Sequence, residues 1–211
     1  MQLLANTTSP YVRIARVSMI EKGLNVEPTI IDPWADDPRL RAANAATRVP
    51  TLITDDGTPL TESLLIVQWL EHARPAPDWP SLLGVDVDGV LSRAGIALGV
   101  IDAAVHTIII RKVTAPLLFD DTPVGLRRRR TMAEGMARLE AITAGGGLAF
   151  TTGAGLAGGD APTLDTICAV VALDYLRFRF DGKPWLPAMP ALDALSMSLR
   201  QRTSFAQTLP R

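Results

Sequence analysis

The sequence predicts a small α/β domain over residues 1–75, with the element order β-α-β-α-β-β-α, followed by an all-helical domain over residues 84–211. Three observations lead to this fold class. Short apolar runs alternate with helical spacing at the start of the chain. A proline-rich segment at 73–83 interrupts both patterns and is typical of an interdomain linker. Beyond that segment apolar residues recur at helical spacing without a convincing strand pattern.

The first three elements form a predicted βαβ unit. Residues 2–5 are an uncharged run typical of a short strand. Ser9 and Pro10 predict the start of a helix, because serine suits the N-cap and proline suits the first turn. Gly23 predicts its end at the C′ position. Residues 26–31 then form the second strand, which a connecting helix places parallel to the first.

The remaining elements complete a mixed sheet and a helical domain. After a short helix at 38–46, the sequence predicts a third strand entered through Pro50, a tight turn, and a return strand. A helix follows from about Glu62 to His72, so helices cover both sides of the sheet. The second domain is expected to contain helices near 86–113, 121–144, 162–178 and 188–203, with a glycine-rich loop between 145 and 159.

The composition argues against several function classes. The net charge is -1, from 21 basic and 22 acidic residues, so neither nucleic acid nor an anionic membrane is an expected partner. The basic run at 127–130 is interpreted as a solvated helix face, because Glu134 and Glu140 follow it. No apolar stretch reaches about 18 residues without interruption, so we expect no membrane-spanning helix. The first residues also lack the pattern of a signal peptide.

Cysteine usage indicates a reducing environment. Cys168 is the single cysteine of the chain, so it forms no intramolecular disulfide and contributes to no metal-ligand cluster. We therefore expect a cytoplasmic protein without a metal cofactor. Cys168 itself is predicted to be a buried apolar residue of its helix.

Three short segments carry the candidate chemistry: TTSPYVR at 7–13, RVPTL at 48–52 and TES at 61–63. In this order and spacing they resemble the glutathione transferase family, especially its bacterial and plant-like branches with a Ser-Pro-aromatic helix start. The resemblance covers nearly the whole chain and is most specific in the first 75 residues. It implies a thioredoxin-like N-terminal domain, glutathione as co-substrate, a homodimer, and detoxification of small electrophiles.

The resemblance assigns the binding of glutathione to two of these segments. A cis bond between Val49 and Pro50 is implied, which lets the Val49 backbone pair with the cysteinyl part of glutathione. An ordinary trans proline is the alternative. Glu62 is expected to pair with the γ-glutamyl ammonium, while Ser63 and helix N–H groups hold the carboxylate. A purely structural helix cap is the alternative there.

Two further residues are candidates for the glycine end of the tripeptide. Trp34 follows the second strand, where the family places a contact to the glycine carboxylate, and Arg48 precedes the Val-Pro pair. A tryptophan offers a single indole N–H to a ligand. Packing on the surface is therefore an equal alternative for Trp34.

Ser9 is the candidate for activating the thiol. A free thiol has a pKa of about 8.5, so only about 3% is thiolate at pH 7. A hydroxyl that donates to the thiolate, together with the positive end of the helix, stabilises the charged form. Thr7 and Thr8 compete for the same role, and a plain N-cap is the alternative for Ser9. Relatives with cysteine at this position exchange disulfides, which the absence of cysteine before Cys168 disfavours.

The second substrate is expected between the two domains. The candidates for its pocket are Tyr11, His106, Ile110 and Arg111. For His106 a packed or solvent-facing position is the alternative, and Ile110 is equally suited to the core. The chain is thus interpreted as a glutathione transferase acting on a small apolar electrophile. A glutathione-binding or apolar-ligand-binding protein without turnover, and a glutathione-dependent isomerase or dehalogenase, are the alternatives.

One segment departs from the family pattern. Relatives carry Ser/Thr-x-x-Asp at the start of the core helix of the second domain. Here Thr166 occupies the expected aspartate position and Asp165 lies one residue earlier. The usual capping box is therefore not expected, although Thr163 remains a possible N-cap.

Overall fold

The computed structural model describes residues 1–115, 118–148 and 161–211. They divide into two compact units. The first contains residues 1–84, 161–163 and 200–211, and the second contains residues 85–115, 118–148 and 164–199. The predicted domain bounds, 1–75 and 84–211, stay a prediction. The compact units differ from these bounds chiefly because residues 200–211 belong to the first unit.

The N-terminal part of the first unit has the predicted element order. Its elements are β1 (Gln2–Ala5), α1 (Pro10–Glu21), β2 (Pro28–Ile30), α2 (Pro38–Ala43), β3 (Thr51–Ile53), β4 (Pro59–Thr61) and α3 (Ser63–Ala73). The strands form one mixed sheet in the order β2-β1-β3-β4. β1 and β2 are parallel, whereas the β1–β3 and β3–β4 pairs are antiparallel. This is the predicted thioredoxin-like fold.

The strand register brings four chain segments to one edge of the sheet. Ala5 at the end of β1 pairs with Ile30 at the end of β2. Thr51 at the start of β3 pairs with Leu4 on one side and with Thr61, at the end of β4, on the other. The residues after β1, β2 and β4 and those before β3 therefore lie along the same edge, called the site edge below.

Helices pack on both faces of this sheet. One core cluster joins α1 and α3 to the sheet through Leu3, Ala5, Val12, Ala15, Met19, Leu52, Ile66 and Leu70. A smaller cluster on α2 contains Leu4, Ile31 and Leu40. Because Leu3 and Leu4 are neighbours in β1, they face opposite sides of the sheet, as the period of two requires.

Both ends of α1 confirm the sequence prediction. Ser9 is the N-cap, and its Oγ accepts a hydrogen bond from Val12 N at 3.3 Å. Gly23 has a φ of 68° and follows the last helical turn. Leu24 N donates to Met19 O and Gly23 N to Ile20 O, the paired bonds of a Schellman motif. A Cβ at Gly23 would lie 2.1 Å from the Trp79 ring, so space also requires glycine here.

The second unit is helical in the part that the structure describes. It contains α4 (Val87–Thr114), a 3₁₀ turn (Phe119–Asp121), α5 (Pro123–Ala144), α6 (Leu164–Phe180) and α7 (Pro190–Leu199). The predicted loop at 145–159 falls outside the described residues from position 149 onward. α4 packs against both α5 and α6.

The predicted last helix, 188–203, is wrong as a single element. The chain forms α7 and then a separate short helix, α8 (Thr203–Ala206), in the first unit. Arg202 interrupts the helix with an extended backbone, φ -85° and ψ 137°. Its guanidinium donates to both carboxylate oxygens of Glu21, at 2.9 and 2.6 Å, which holds the turn against α1.

α4 is long and apolar enough to cross a membrane by length and composition alone. Core helices of soluble proteins meet the same criteria. Eight of its residues are buried, among them Ala97, Ile101 and Ala104, so part of its apolar surface is covered inside the second unit.

α6 is buried along most of its length. Asp165 in its first turn is 1% exposed, and its Oδ2 accepts from Arg93 Nε at 2.6 Å. The displaced aspartate thus links α4 to α6. Cys168, one turn later, is fully buried, as predicted, and burial raises the pKa of its thiol.

Candidate functional site

The site edge brings together the residues predicted to hold glutathione. Ser9 follows β1, Trp34 follows β2, Val49 precedes β3 and Glu62 follows β4. They are far apart in the sequence, and the strand register alone makes them neighbours along one edge. In the strand order β2-β1-β3-β4, Ser9 is central, while Val49 and Glu62 lie on its β3–β4 side. The geometry therefore offers a continuous row of polar and backbone groups.

Three hydroxyls compete for the role of thiol donor at the end of β1. The Thr7 hydroxyl donates to Arg211 O at 2.9 Å, and the Thr8 hydroxyl donates to Asn6 Oδ1 at 2.8 Å. The Ser9 oxygen instead accepts from Val12 N. Among the described residues the Ser9 hydroxyl donates no hydrogen bond, so its proton remains available for a ligand. Its backbone at the N-cap also places it beside the positive end of the α1 dipole.

The Val49–Pro50 bond is cis, as the resemblance implied. Asn44 braces the backbone just before it, because its side-chain amide donates to Arg48 O at 3.1 Å and to Thr51 Oγ1 at 3.1 Å. Thr51 Oγ1 in turn donates to Arg48 O at 2.9 Å. Val49 is half-buried against the sheet clusters, and Pro50 is buried.

Glu62 has a backbone conformation that is rare for residues other than glycine. It is the N-cap of α3, with φ 64° and ψ 128°, and its side chain makes no capping hydrogen bond. Its carboxylate is exposed and lies 3.6 Å from Arg48 Nη1. The next residue, Ser63, is 4% exposed and begins α3, where unpaired backbone N–H groups are concentrated. The pair thus presents an anionic group beside an anion-binding helix start.

Trp34 is an exposed candidate. Its side chain is 53% exposed, and its backbone N donates to Asp32 Oδ1 at 2.9 Å. The residue lies in the turn that follows β2, at the site edge. The structure places it where a contact to the glycine end of glutathione was predicted, and that contact stays a prediction.

The candidates for the second substrate lie in different units. Tyr11 is half-buried in the first turn of α1, whereas His106, Ile110 and Arg111 belong to α4 in the second unit. His106 is exposed, and its Nδ1 lies 2.9 Å from Asp102 O in the preceding turn. A pocket shared by these residues stays a prediction.

Arg111 has a well-defined partner within its own unit. Its Nε donates to Asp120 Oδ1 at 2.8 Å, and its Nη2 contacts Asp120 Oδ2. The guanidinium also lies 5.0 Å from the centroid of the Phe180 ring. This bidentate pair lowers the pKa of the Asp120 carboxyl, chiefly through the hydrogen bond from Arg111. Arg111 therefore ties the end of α4 to the 3₁₀ turn.

A cavity of about 120 Å³ opens beside Ser9 in the first unit. α1 contributes Val12, Arg13 and Arg16, and the rest of the lining comes from Asn6, Thr7, Glu27, Pro28, Ile30, Gln207, Thr208, Leu209 and Arg211. The sequence patterns described above do not predict this cavity. Arg13 and Arg16 lie four and seven residues after Ser9, the helical spacing that places them on its face of α1, and that spacing was available in the sequence. The contribution of residues 207–211 was not.

Arg16, which also lines this cavity, is half-buried. The pKa of Arg16 is lowered, first by burial, while Glu27 opposes the shift and the like charge of Arg211 adds to it. Among the described residues Arg16 makes no hydrogen bond or ion pair. Within the same ranges no group of three or more His, Cys, Asp and Glu side chains is placed to hold a metal ion.

Comparison with known proteins agrees with this architecture. The family model for the glutathione S-transferase N-terminal domain matches residues 3–78. The uncharacterized GST-like protein YibF of Escherichia coli is 28% identical over 210 residues, covering 100% of this chain and 98% of its own.

Solved structures extend the similarity to the whole fold. A glutathione S-transferase from Methylobacterium radiotolerans, in complex with glutathione sulfonate, is 30% identical with a TM-score of 0.81, covering 99% of this chain and 94% of its own. A glutathione S-transferase from Methylobacillus flagellatus with glutathione bound is 25% identical with a TM-score of 0.79, covering 100% and 99%. Sequence and fold together show that this chain belongs to the glutathione S-transferase family.

Proposed function

We propose that the protein is a glutathione transferase in which Ser9 stabilises the glutathione thiolate for attack on a small electrophile. One observation carries the proposal. Of the three hydroxyls at the end of β1, those of Thr7 and Thr8 already donate to protein oxygens, whereas the Ser9 hydroxyl has a proton to donate. It lies at the N-terminus of α1 and at the centre of the site edge.

The neighbouring groups suit the rest of the tripeptide. In the proposed complex the γ-glutamyl ammonium pairs with Glu62, and the γ-glutamyl carboxylate accepts from Ser63 and from N–H groups at the start of α3. The cysteinyl amide pairs with the Val49 backbone, next to the cis bond. Two related glutathione S-transferases have glutathione or its sulfonate bound, which supports this assignment of the ligand.

One hydroxyl and the helix N-terminus together can supply the free energy needed to lower the pKa of the thiol. Lowering a thiol pKa by about two units needs roughly 2.7 kcal/mol. A hydrogen bond to a charged group contributes about 1.5–3 kcal/mol, and a helix N-terminus adds about 0.3–1 kcal/mol. Ser9 therefore needs no additional base, and it is not itself the nucleophile.

The proposed reaction follows from the nucleophilicity of the thiolate. Its sulfur forms a bond to an electrophilic carbon, and the leaving group departs with the bonding electron pair, while the thiol proton passes to solvent. The absence of cysteine at Ser9 argues for this conjugation chemistry and against disulfide exchange with the protein. A reducing, cytoplasmic setting and a role in detoxification belong to the same proposal.

The test is the rate of conjugation of an activated chloroarene with glutathione. We expect Ser9→Ala to lower kcat/KM by about 10- to 100-fold, the loss of one charge-assisted hydrogen bond. Thr8→Val serves as the matched control and should stay within about threefold of the original protein. Equal rates for Ser9→Ala and the original protein would refute the role of Ser9.

Two companion measurements address the remaining parts of the proposal. Calorimetry that shows glutathione binding without turnover of any electrophile would favour a binding protein over an enzyme. The proposed homodimer predicts a mass twice that of the 22.6 kDa chain in light scattering. A mass of one chain would contradict it.

A further inference from the structure

We infer that the cavity beside Ser9 is a subsite for the anionic group of the second substrate, with Arg16 as the residue that selects a carboxylate-bearing electrophile. The inference rests on the proposed function, because it names the class of substrate that the same thiolate would attack. Its structural basis is a cavity whose lining comes entirely from the first unit.

The position of the cavity separates it from the groups assigned to the γ-glutamyl and cysteinyl parts of glutathione. Val49 and Glu62 lie on the β3–β4 side of Ser9. The cavity is bordered by Glu27, Pro28 and Ile30 from the region of β2, the strand on the opposite side of β1. A ligand in the cavity would therefore approach Ser9 from the side that the γ-glutamyl and cysteinyl groups leave open.

The charges of the lining favour an anion. Four of its side chains are charged, and three of them are Arg13, Arg16 and Arg211, against the carboxylate of Glu27. Arg13 is 4% exposed, and its Nε donates to Thr208 Oγ1 at 3.4 Å, so it is part of the packed wall. Arg16 is half-buried and forms no hydrogen bond or ion pair with the described residues. Its pKa is lowered chiefly by burial, and an anionic ligand would offset that desolvation.

The dimensions restrict the ligand to a small molecule. The cavity volume is about 120 Å³, below the roughly 300–1,000 Å³ of sites for drug-sized ligands. Ser9 and Arg16 lie two turns apart, a rise of about 10 Å between their Cα atoms. Both residues line the same cavity. A ring with a reactive carbon at one end and a carboxylate at the other fits this spacing.

The probes are 4-chloro-3-nitrobenzoate and its methyl ester, which differ in charge and carry the same leaving group. In both, the glutathione sulfur bonds to the ring carbon, and chloride departs with the electron pair of the broken bond. We expect Arg16→Gln to raise KM for the carboxylate by about 10-fold, as removal of one charge-assisted contact does, and to leave KM for the ester within about twofold. Arg127→Gln, an exposed arginine on α5, is the matched control and should change neither.

Three outcomes would overturn the inference. The first is an unchanged KM for the carboxylate in Arg16→Gln, and the second is an equal rise for both substrates. The third is a raised Kd for glutathione in Arg16→Gln, which would mean that Arg16 holds a carboxylate of glutathione itself. Calorimetry of glutathione with both variants measures this last value.

A binding experiment separates this inference from the proposed catalysis. The unreactive analogue 3-nitrobenzoate is titrated into the full chain saturated with glutathione, beside its methyl ester. Preferential binding of the carboxylate that Arg16→Gln abolishes would support the subsite even if no electrophile is turned over. The absence of such binding in the original protein would refute the subsite, whatever the conjugation assay shows.

Discussion

Arg48 and Glu62 lie next to each other at the site edge, before β3 and after β4, with Arg48 Nη1 3.6 Å from Glu62 Oε1. Both side chains are mostly exposed, at 72% and 56%, so the ion pair contributes no more than about 1 kcal/mol. Glu62 nevertheless has a positive φ, which costs a residue with a Cβ about 1–3 kcal/mol. A weak pair does not explain that cost, whereas the proposed contact of Glu62 with a ligand ammonium would.

The first prediction compares the two partners of this pair. Glu62→Gln should raise the Kd of glutathione by about 10- to 100-fold, because it removes the negative charge facing the γ-glutamyl ammonium. Arg48→Gln should raise the Kd by no more than about fivefold, because Arg48, a candidate contact for the glycine end of glutathione, is exposed and such a contact contributes up to about 1 kcal/mol. Titration calorimetry measures both values. Similar effects of the two substitutions would contradict a direct contact between Glu62 and the ligand.

A second prediction concerns the backbone at Glu62. Glu62→Gly and Glu62→Ala both remove the carboxylate, yet glycine adopts a positive φ without a steric penalty. We expect the glycine variant to exceed the alanine variant in free energy of unfolding by about 1 kcal/mol, the relieved strain less the entropy that glycine adds to the unfolded chain. Urea denaturation provides the comparison. A more stable alanine variant would show that the backbone is not strained at this residue.

The third prediction concerns a buried ion pair behind the site. Lys22 is fully buried, with Nζ 2.6 Å from Glu71 Oε1 and 2.9 Å from Arg74 O. Lys22→Met should lower the free energy of unfolding by about 3 kcal/mol, because a partly buried carboxylate loses its counter-charge. Arg130→Met, in an exposed pair with Glu134 on α5, should cost less than about 0.5 kcal/mol.

Coupling distinguishes this pair from simple loss of packing. The double variant Lys22→Met with Glu71→Gln should be less destabilised than the sum of its two single variants, because neither charge is then left alone. Additive losses would show that the two groups act independently. Denaturant unfolding of all four proteins closes the cycle.

A fourth prediction follows from the lowered pKa of Asp120. A carboxyl whose pKa is depressed in the folded protein adds stability above its unfolded pKa of about 3.9, and loses it as pH falls through the folded value. Asp120→Asn should therefore cost about 1 kcal/mol at neutral pH, with the difference from the original protein vanishing in acid below the usual aspartate range.

The control for Asp120 is an exposed aspartate in a loose pair. Asp181 lies 3.8 Å from Arg177 and is 74% exposed, so Asp181→Asn should show a smaller cost. Thermal unfolding across acidic and neutral pH measures both. A cost for Asp120→Asn that persists unchanged in acid would show that packing, not charge, holds the 3₁₀ turn to α4.

Local chemistry explains why much of the first unit could be predicted from the sequence. An N-cap and a C′ glycine each depend on only a few neighbouring residues. Ser9 and Gly23 therefore correctly predicted the two ends of α1. The cis bond at Val49 came instead from resemblance, since no neighbouring residue dictates it. The row of candidate groups along the site edge then follows from the strand order alone.

Contacts between distant segments could not be predicted in this way. Glu21 and Arg202 are 181 residues apart, and Arg13 and Thr208 are 195 apart. The first contact holds the start of α8 to α1, and the second joins two residues that line the cavity beside Ser9. Helical spacing predicted a single last helix because it carries no information about a partner so far along the chain.

The role of Ser9 is tested by the pKa of the glutathione thiol bound to the protein, measured from the ultraviolet absorbance of the thiolate as pH is raised. We predict a value well below the roughly 8.5 of a free thiol, about 6.5, in the original protein. In Ser9→Ala the value should return toward that of the free thiol, while Thr8→Val keeps the lowered value. The same lowered value in Ser9→Ala as in the original protein would contradict the claim that Ser9 stabilises the thiolate.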